Sequence, residues 1–218
     1  MSIYEKIDEM HRVESTRNSN RISARIRLYA EGTKAKIKNA EYARSGIRDL
    51  SMRNDASTDS TDPDFLYSEK LQFHVDSFFA FLYSAFDIIS HIINQKYRLG
   101  LNERAVSFDS VKQSLDSGHQ GSPIQQVYSK ISAKIFFKNL DNYRNCSTHR
   151  REICIQTTQI TATQGYDTSG TLSGVQHLLC DNPLSLSPRF AQKREVVSYC
   201  SRILDLSRLE IERIITSL

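Results

Sequence analysis

An all-α fold carrying one β-hairpin is predicted for this chain by three features of its 218 residues. Apolar residues recur every three or four positions over long stretches, which is the period of an α-helix. Only four prolines and eight glycines interrupt them. β-Branched residues, by contrast, concentrate in one tract at 153–163. A single domain spanning 1–218 is expected, since a chain of this length buries a core without disulfides or metal.

The elements follow in order. Ile3 to Val13 has the spacing of a short helix. Ile22, Ile26, Tyr29, Thr33, Ile37, Ala40, Ile47 and Leu50 then mark one face of a long amphipathic helix. Gly32 and Gly46 weaken it, each by about 1 kcal/mol relative to alanine. Residues 54–64 hold almost no large apolar side chain and end near Pro63, which predicts a mobile loop.

From Tyr67 to Tyr97 runs the most apolar segment, with Leu71, Val75, Phe78, Leu82, Phe86, Ile89 and Ile93 on one face. Phe79, Phe81, Ile88 and Ile92 widen that stripe, so this helix is expected to be central and buried on several sides. Asp87 interrupts it, and a carboxylate there needs a cationic or hydrogen-bonding partner, which His91 could share one turn later. A short helix is expected at Phe108–Leu115. Ser122 as N-cap and Pro123 at the first helical position open the next, kinked near Ser129–Ser132 and continuing through Ile135, Phe136, Leu140 and Tyr143. The β-branched tract reads as a strand, 165–174 as a turn and 175–180 as the return strand, giving a hairpin insertion at 152–182. Pro188 is expected to start the last helix, whose buried face comprises Val197, Cys200, Leu204, Ile211, Ile214 and Ile215.

Composition narrows the function classes. Hydrophobic residues make up 39% and charged residues 25%, with mean hydropathy of −0.46, as in a soluble globule rather than a disordered chain. The longest apolar stretch, Phe78–Ile93, is broken by Asp87 and His91, which argues against a membrane span, and no membrane partner is expected. The first residues lack the apolar core of a signal peptide, so a cytoplasmic location is expected. Cys146, Cys154, Cys180 and Cys200 then read as reduced thiols filling core positions. They form no Cys-x-x-Cys pair and have no histidine at zinc-ligand spacing, so no metal site is predicted. Between Arg17 and Arg53 the chain is strongly basic, and Arg25, Arg27, Lys34 and Lys38 are candidate phosphate contacts; a solvated helix face explains the same pattern.

One motif could carry chemistry. In Tyr143-Arg144-Asn145-Cys146-Ser147-Thr148-His149 an arginine is followed at once by an amide and, after four intervening residues, by a histidine. Arg144 can fork two hydrogen bonds onto phosphate oxygens, Asn145 can orient the phosphate or the histidine, and His149 titrates near neutrality. Arg150 and Arg151 extend the cationic run as further candidate nucleic-acid contacts. The same charges at a helix C-terminus are also what the helix dipole favours. An Arg144–Asp87 pair could equally serve only to satisfy a buried carboxylate.

This order of a long buried helix, a short connecting helix and a helix ending in Arg144, Asn145 and His149 resembles the HEPN superfamily of small helical nucleic-acid-processing proteins. The resemblance covers about Tyr67 to His149, with Asp87 in the preceding core helix as candidate partner of Arg144, and leaves the N-terminal basic helix and the hairpin outside it. It implies a helical bundle with long antiparallel helices and metal-independent, cofactor-free endoribonuclease activity on RNA. The active site would form where two subunits of a homodimer meet, with Arg144, Asn145, His149 and Asp87 as its catalytic residues. It further implies a defence or toxin–antitoxin context with an antitoxin or regulatory partner protein. The alternative is a non-catalytic HEPN-like module that binds nucleotide, nucleic acid or protein. Helix geometry adds a condition: five positions correspond to about 140° around the axis, so Arg144 and His149 converge only if the helix loosens near Ser147–Thr148 or a second subunit contributes.

Overall fold

The helical period is realised in seven α-helices among the described residues of a computed structural model, which covers 1–17, 20–51, 63–149, 152–163 and 171–218. They are α1 (Ile3–Arg17), α2 (Asn20–Ser51), α3 (Pro63–Tyr97), α4 (Phe108–Gly118), α5 (Pro123–Ala133), α6 (Ile135–His149) and α7 (Val196–Thr216). Strands β1 (Ile155–Thr163), β2 (Thr171–Leu179) and β3 (Arg194–Glu195) form one antiparallel sheet in the order β1-β2-β3. The protein is therefore all-α with a small sheet. Most of the expected loop at 54–64, and part of the hairpin turn, lie outside the described residues; α3 already begins at Pro63.

The chain packs as two compact units. The first comprises Met1–Ala40, Phe81–Asp141 and Ile203–Leu218, and the second Glu41–Ala80 and Asn142–Arg202.

In the first unit, Lys34 pairs with Asp8 and the Lys38 ammonium sits 5.4 Å from the Tyr4 ring centre, so α1 and α2 run antiparallel. Tyr29 stacks on His91 at 4.6 Å and Lys36 lies over Phe81, so α2 and α3 are antiparallel as well. Gly32 is tolerated because a Cβ there would come within 3.2 Å of Ile88. The apolar stripe of α3 is buried, and Phe86, Phe108, Tyr128 and Phe137 interlock around it. Residues 67–97 are long and apolar enough to cross a membrane by length and composition, and 56% of their most apolar window is buried inside the protein, as in a core helix. Ser107 caps α4 in a reciprocal capping box with Ser110, and Ser122 caps α5 ahead of Pro123.

The expected kink near Ser129–Ser132 is instead a break at Lys134, whose backbone is extended. No proline or glycine causes it. The Lys134 ammonium reaches the almost fully buried Glu210 of α7, which Arg213 also contacts.

In the second unit, Gly46 lets the His74 ring lie on the α2 backbone; a Cβ would fall 2.5 Å from the imidazole. His177 on β2 is buried, with Nε2 3.0 Å from the Tyr67 hydroxyl and Nδ1 3.0 Å from the Thr157 hydroxyl. Tyr67 donates its own proton to the Leu50 carbonyl at 2.6 Å. The ring therefore donates from Nε2 and accepts at Nδ1, and the network ties the hairpin to α2 and α3.

The C-terminal segment departs from expectation. Pro188 does not start the last helix. Asp181 accepts the Ala191 and Gln192 N–H groups, holding 181–192 as an ordered loop, and β3 then pairs with Leu178 and Leu179. Glu195 accepts from Val197 and Ser198 N–H and so caps α7, which begins eight residues after Pro188. The hairpin is thus a three-stranded sheet.

Candidate functional site

Helix α6 carries the motif, and its buried side fixes the orientation. Tyr143 and Cys146, three positions apart, are fully buried, while Arg144 and Asn145 are half-buried beside them. Tyr143 stacks on Phe79 with ring centres 4.4 Å apart. Its hydroxyl donates to the Cys180 carbonyl and accepts from Arg194 Nη1 at 2.9 Å. Burial drives this phenol far above its usual titration range. Arg194 is itself buried, with Nη1 also donating to the Asp181 carbonyl at 2.8 Å, Nε and Nη2 donating to Gln192, and the guanidinium over the Tyr199 ring at 5.1 Å.

Within the motif, the Cys146 Sγ lies 3.2 Å from the Pro183 carbonyl and is buried, which makes this cysteine a packing residue here. Arg144 Nε is buried, and the Arg144 carbonyl accepts the Ser147 hydroxyl at 3.1 Å and the Thr148 hydroxyl at 2.7 Å. Such back-bonding to the preceding turn bends helices. The helix nevertheless stays α-helical through His149. Loosening near Ser147–Thr148 is therefore not observed, and positions 144 and 149 stand about 140° apart around the axis. The His149 side chain, Arg150 and Arg151 lie outside the described residues.

The Cthe2314-like HEPN family model matches residues 33–181, more than half of the chain. This chain belongs to the HEPN superfamily. No curated protein and no solved structure gave a significant match. The HEPN match is wider than the Tyr67–His149 resemblance read from the sequence: it takes in most of α2 and both long strands, together with Lys34, Lys38, Asp87, Arg144, Asn145 and His149. Arg25 and Arg27 fall before it.

The remaining predicted residues have definite surroundings. Asp87, in the first unit, accepts the Phe108 N–H at 2.9 Å, satisfying one of the orphan donors at the start of α4. Its neighbour in sequence, His91, stacks on Tyr29. Burial lowers the His91 pKa, partly offset by the Glu103 carboxylate. Of the basic candidates, Arg25 and Arg27 are exposed, whereas Lys34 is engaged by Asp8 and Glu31. The support of α6 by Arg194, 51 residues beyond Tyr143, had no signal in the sequence. Tyr143 opens the motif segment, but nothing around Arg194 marks it as the partner.

Proposed function

We propose that this protein is a metal-independent HEPN endoribonuclease that acts as a homodimer through Arg144, Asn145 and His149. The observation that carries the reading is the placement of all three on one HEPN helix, with positions 144 and 149 turned about 140° apart. A group that needs both then draws them from two helices, and a two-fold axis supplies the second. Attack of a ribose 2'-hydroxyl on the adjacent phosphorus needs a base for that proton, an acid for the leaving 5'-oxygen and positive charge on the phosphorane. One His149 from each subunit would share the acid and base roles, Arg144 would hold the non-bridging oxygens, and Asn145 would orient the phosphate. Asp87 would act at one remove, as an orienter.

The test is RNA cleavage in excess EDTA. Products with cyclic phosphate ends, lost in His149→Ala while the dimer persists in sedimentation, support the assignment. Cleavage that survives His149→Ala sinks it. A non-catalytic HEPN module binding nucleic acid is favoured by the exposure of Arg25 and Arg27. It predicts salt-sensitive RNA retention that reversal of those charges abolishes, with no turnover to lose.

A further inference from the structure

Cys154 and Cys180 face each other across the base of the sheet. The register pairs Ile155 with Leu179, and one step further the Cys180 N–H donates to the Cys154 carbonyl at 3.2 Å, placing the two cysteines opposite one another. Directly opposed residues on antiparallel strands project to the same face, with Cα atoms about 5.5 Å apart in a hydrogen-bonded pair. A disulfide spans Cα separations of roughly 4.4–6.8 Å. Cys180 is fully buried, whereas Cys154 is partly exposed, so Cys154 is the more accessible member of the pair. Both are reduced thiols in the structure.

From this opposition we infer that Cys154 and Cys180 form a redox-modification site, closed by a hydroperoxide. The Cys154 thiolate attacks the peroxide O–O bond, which breaks to give the Cys154 sulfenic acid and release an alcohol or water. The Cys180 sulfur then attacks the sulfenic sulfur, the S–O bond breaks, and water leaves with the Cys180 proton. Two thiols lose two electrons in all, and the peroxide gains them. Burial pushes the Cys180 thiol up to about 11, so it stays protonated and shielded from outside oxidant until a sulfenate forms opposite it. The Cys180 carbonyl is the acceptor for Tyr143, so the bond would close beside the contact that supports α6.

The inference is independent of the RNA reading and is tested on the full chain. Hydrogen peroxide treatment, alkylation under denaturing conditions and peptide mapping should reveal a Cys154–Cys180 linked peptide lighter by two hydrogens and restored by dithiothreitol. Cys154→Ser, a partly exposed position, should abolish the link, and a sulfenic-acid trapping reagent should label Cys154 in Cys180→Ala. The proposal is overturned if peroxide leaves both thiols free to alkylate, carries Cys154 to sulfinic acid without linkage, or joins Cys180 to Cys146 instead.

Discussion

Replacing Tyr143 with phenylalanine removes one oxygen and leaves the stacked ring in place, so it isolates the polar contact behind the motif helix. That oxygen donates to the Cys180 carbonyl and accepts from Arg194. Deleting it strands a buried carbonyl and one guanidinium N–H, while Arg194 keeps the Asp181 carbonyl and Gln192 as acceptors. A neutral hydrogen bond contributes about 1 kcal/mol and one to a charged group about 2, giving a loss of about 3 kcal/mol. For a chain of this size each kcal/mol moves Tm by roughly 2–4 °C, so Tyr143→Phe should melt roughly 6–12 °C lower. Differential scanning calorimetry at constant pH measures the shift directly. A Tm within about 2 °C of the parent would refute the reasoning, because it would mean that the hydroxyl is replaceable by solvent or by a small shift of Arg194.

Other outcomes follow from the same structure. Burial lowers the pKa of His177 in the folded state, and of His91 likewise, so the unfolded chain binds protons more readily. Stability should be fully present above about pH 6.5 and fall as the pH drops from there towards the depressed folded values, and His177→Asn should flatten that slope in pH-dependent melts. Gly46→Ala should destabilise despite a helix-propensity gain of about 1 kcal/mol, because its Cβ meets the His74 ring; in a His74→Ala background the same change should stabilise, a sign reversal read by a double-mutant cycle. Asp87→Ala should lower stability by about 1–2 kcal/mol through loss of the Phe108 acceptor, whereas Asp87→Asn keeps an acceptor oxygen and should melt close to the parent. RNA cleavage lost in Asp87→Asn at unchanged Tm would assign that carboxylate a role in orienting the site. Cleavage retained would confine it to capping.

Much of the helical frame was legible because its causes are local. The three-to-four-residue period of α2 and α3 sets which side chains face inward, and the marked stripe of α3 is buried throughout. Ser122 and Pro123 announce the start of α5 by hydrogen bonding and a fixed φ angle. The motif residues stand on a single helix for the same reason.

What the sequence alone determined, then, is the all-α character, the core helix and the placement of Arg144, Asn145 and His149 along one helix. Tertiary structure decided everything that depends on a distant partner. Pro188 looks like a helix start, but the Asp181 carboxylate and the β2 edge hold the chain in a non-helical loop and then a short strand until Glu195. The break at Lys134 has no breaker residue, only a buried carboxylate 76 positions away. Asp87 plainly needed a partner, and a backbone N–H with no sequence signature of its own supplies one. Periodicity and capping act within a few residues and can be read along the chain, whereas satisfying a buried charge or a sheet edge depends on which groups folding brings within about 3 Å.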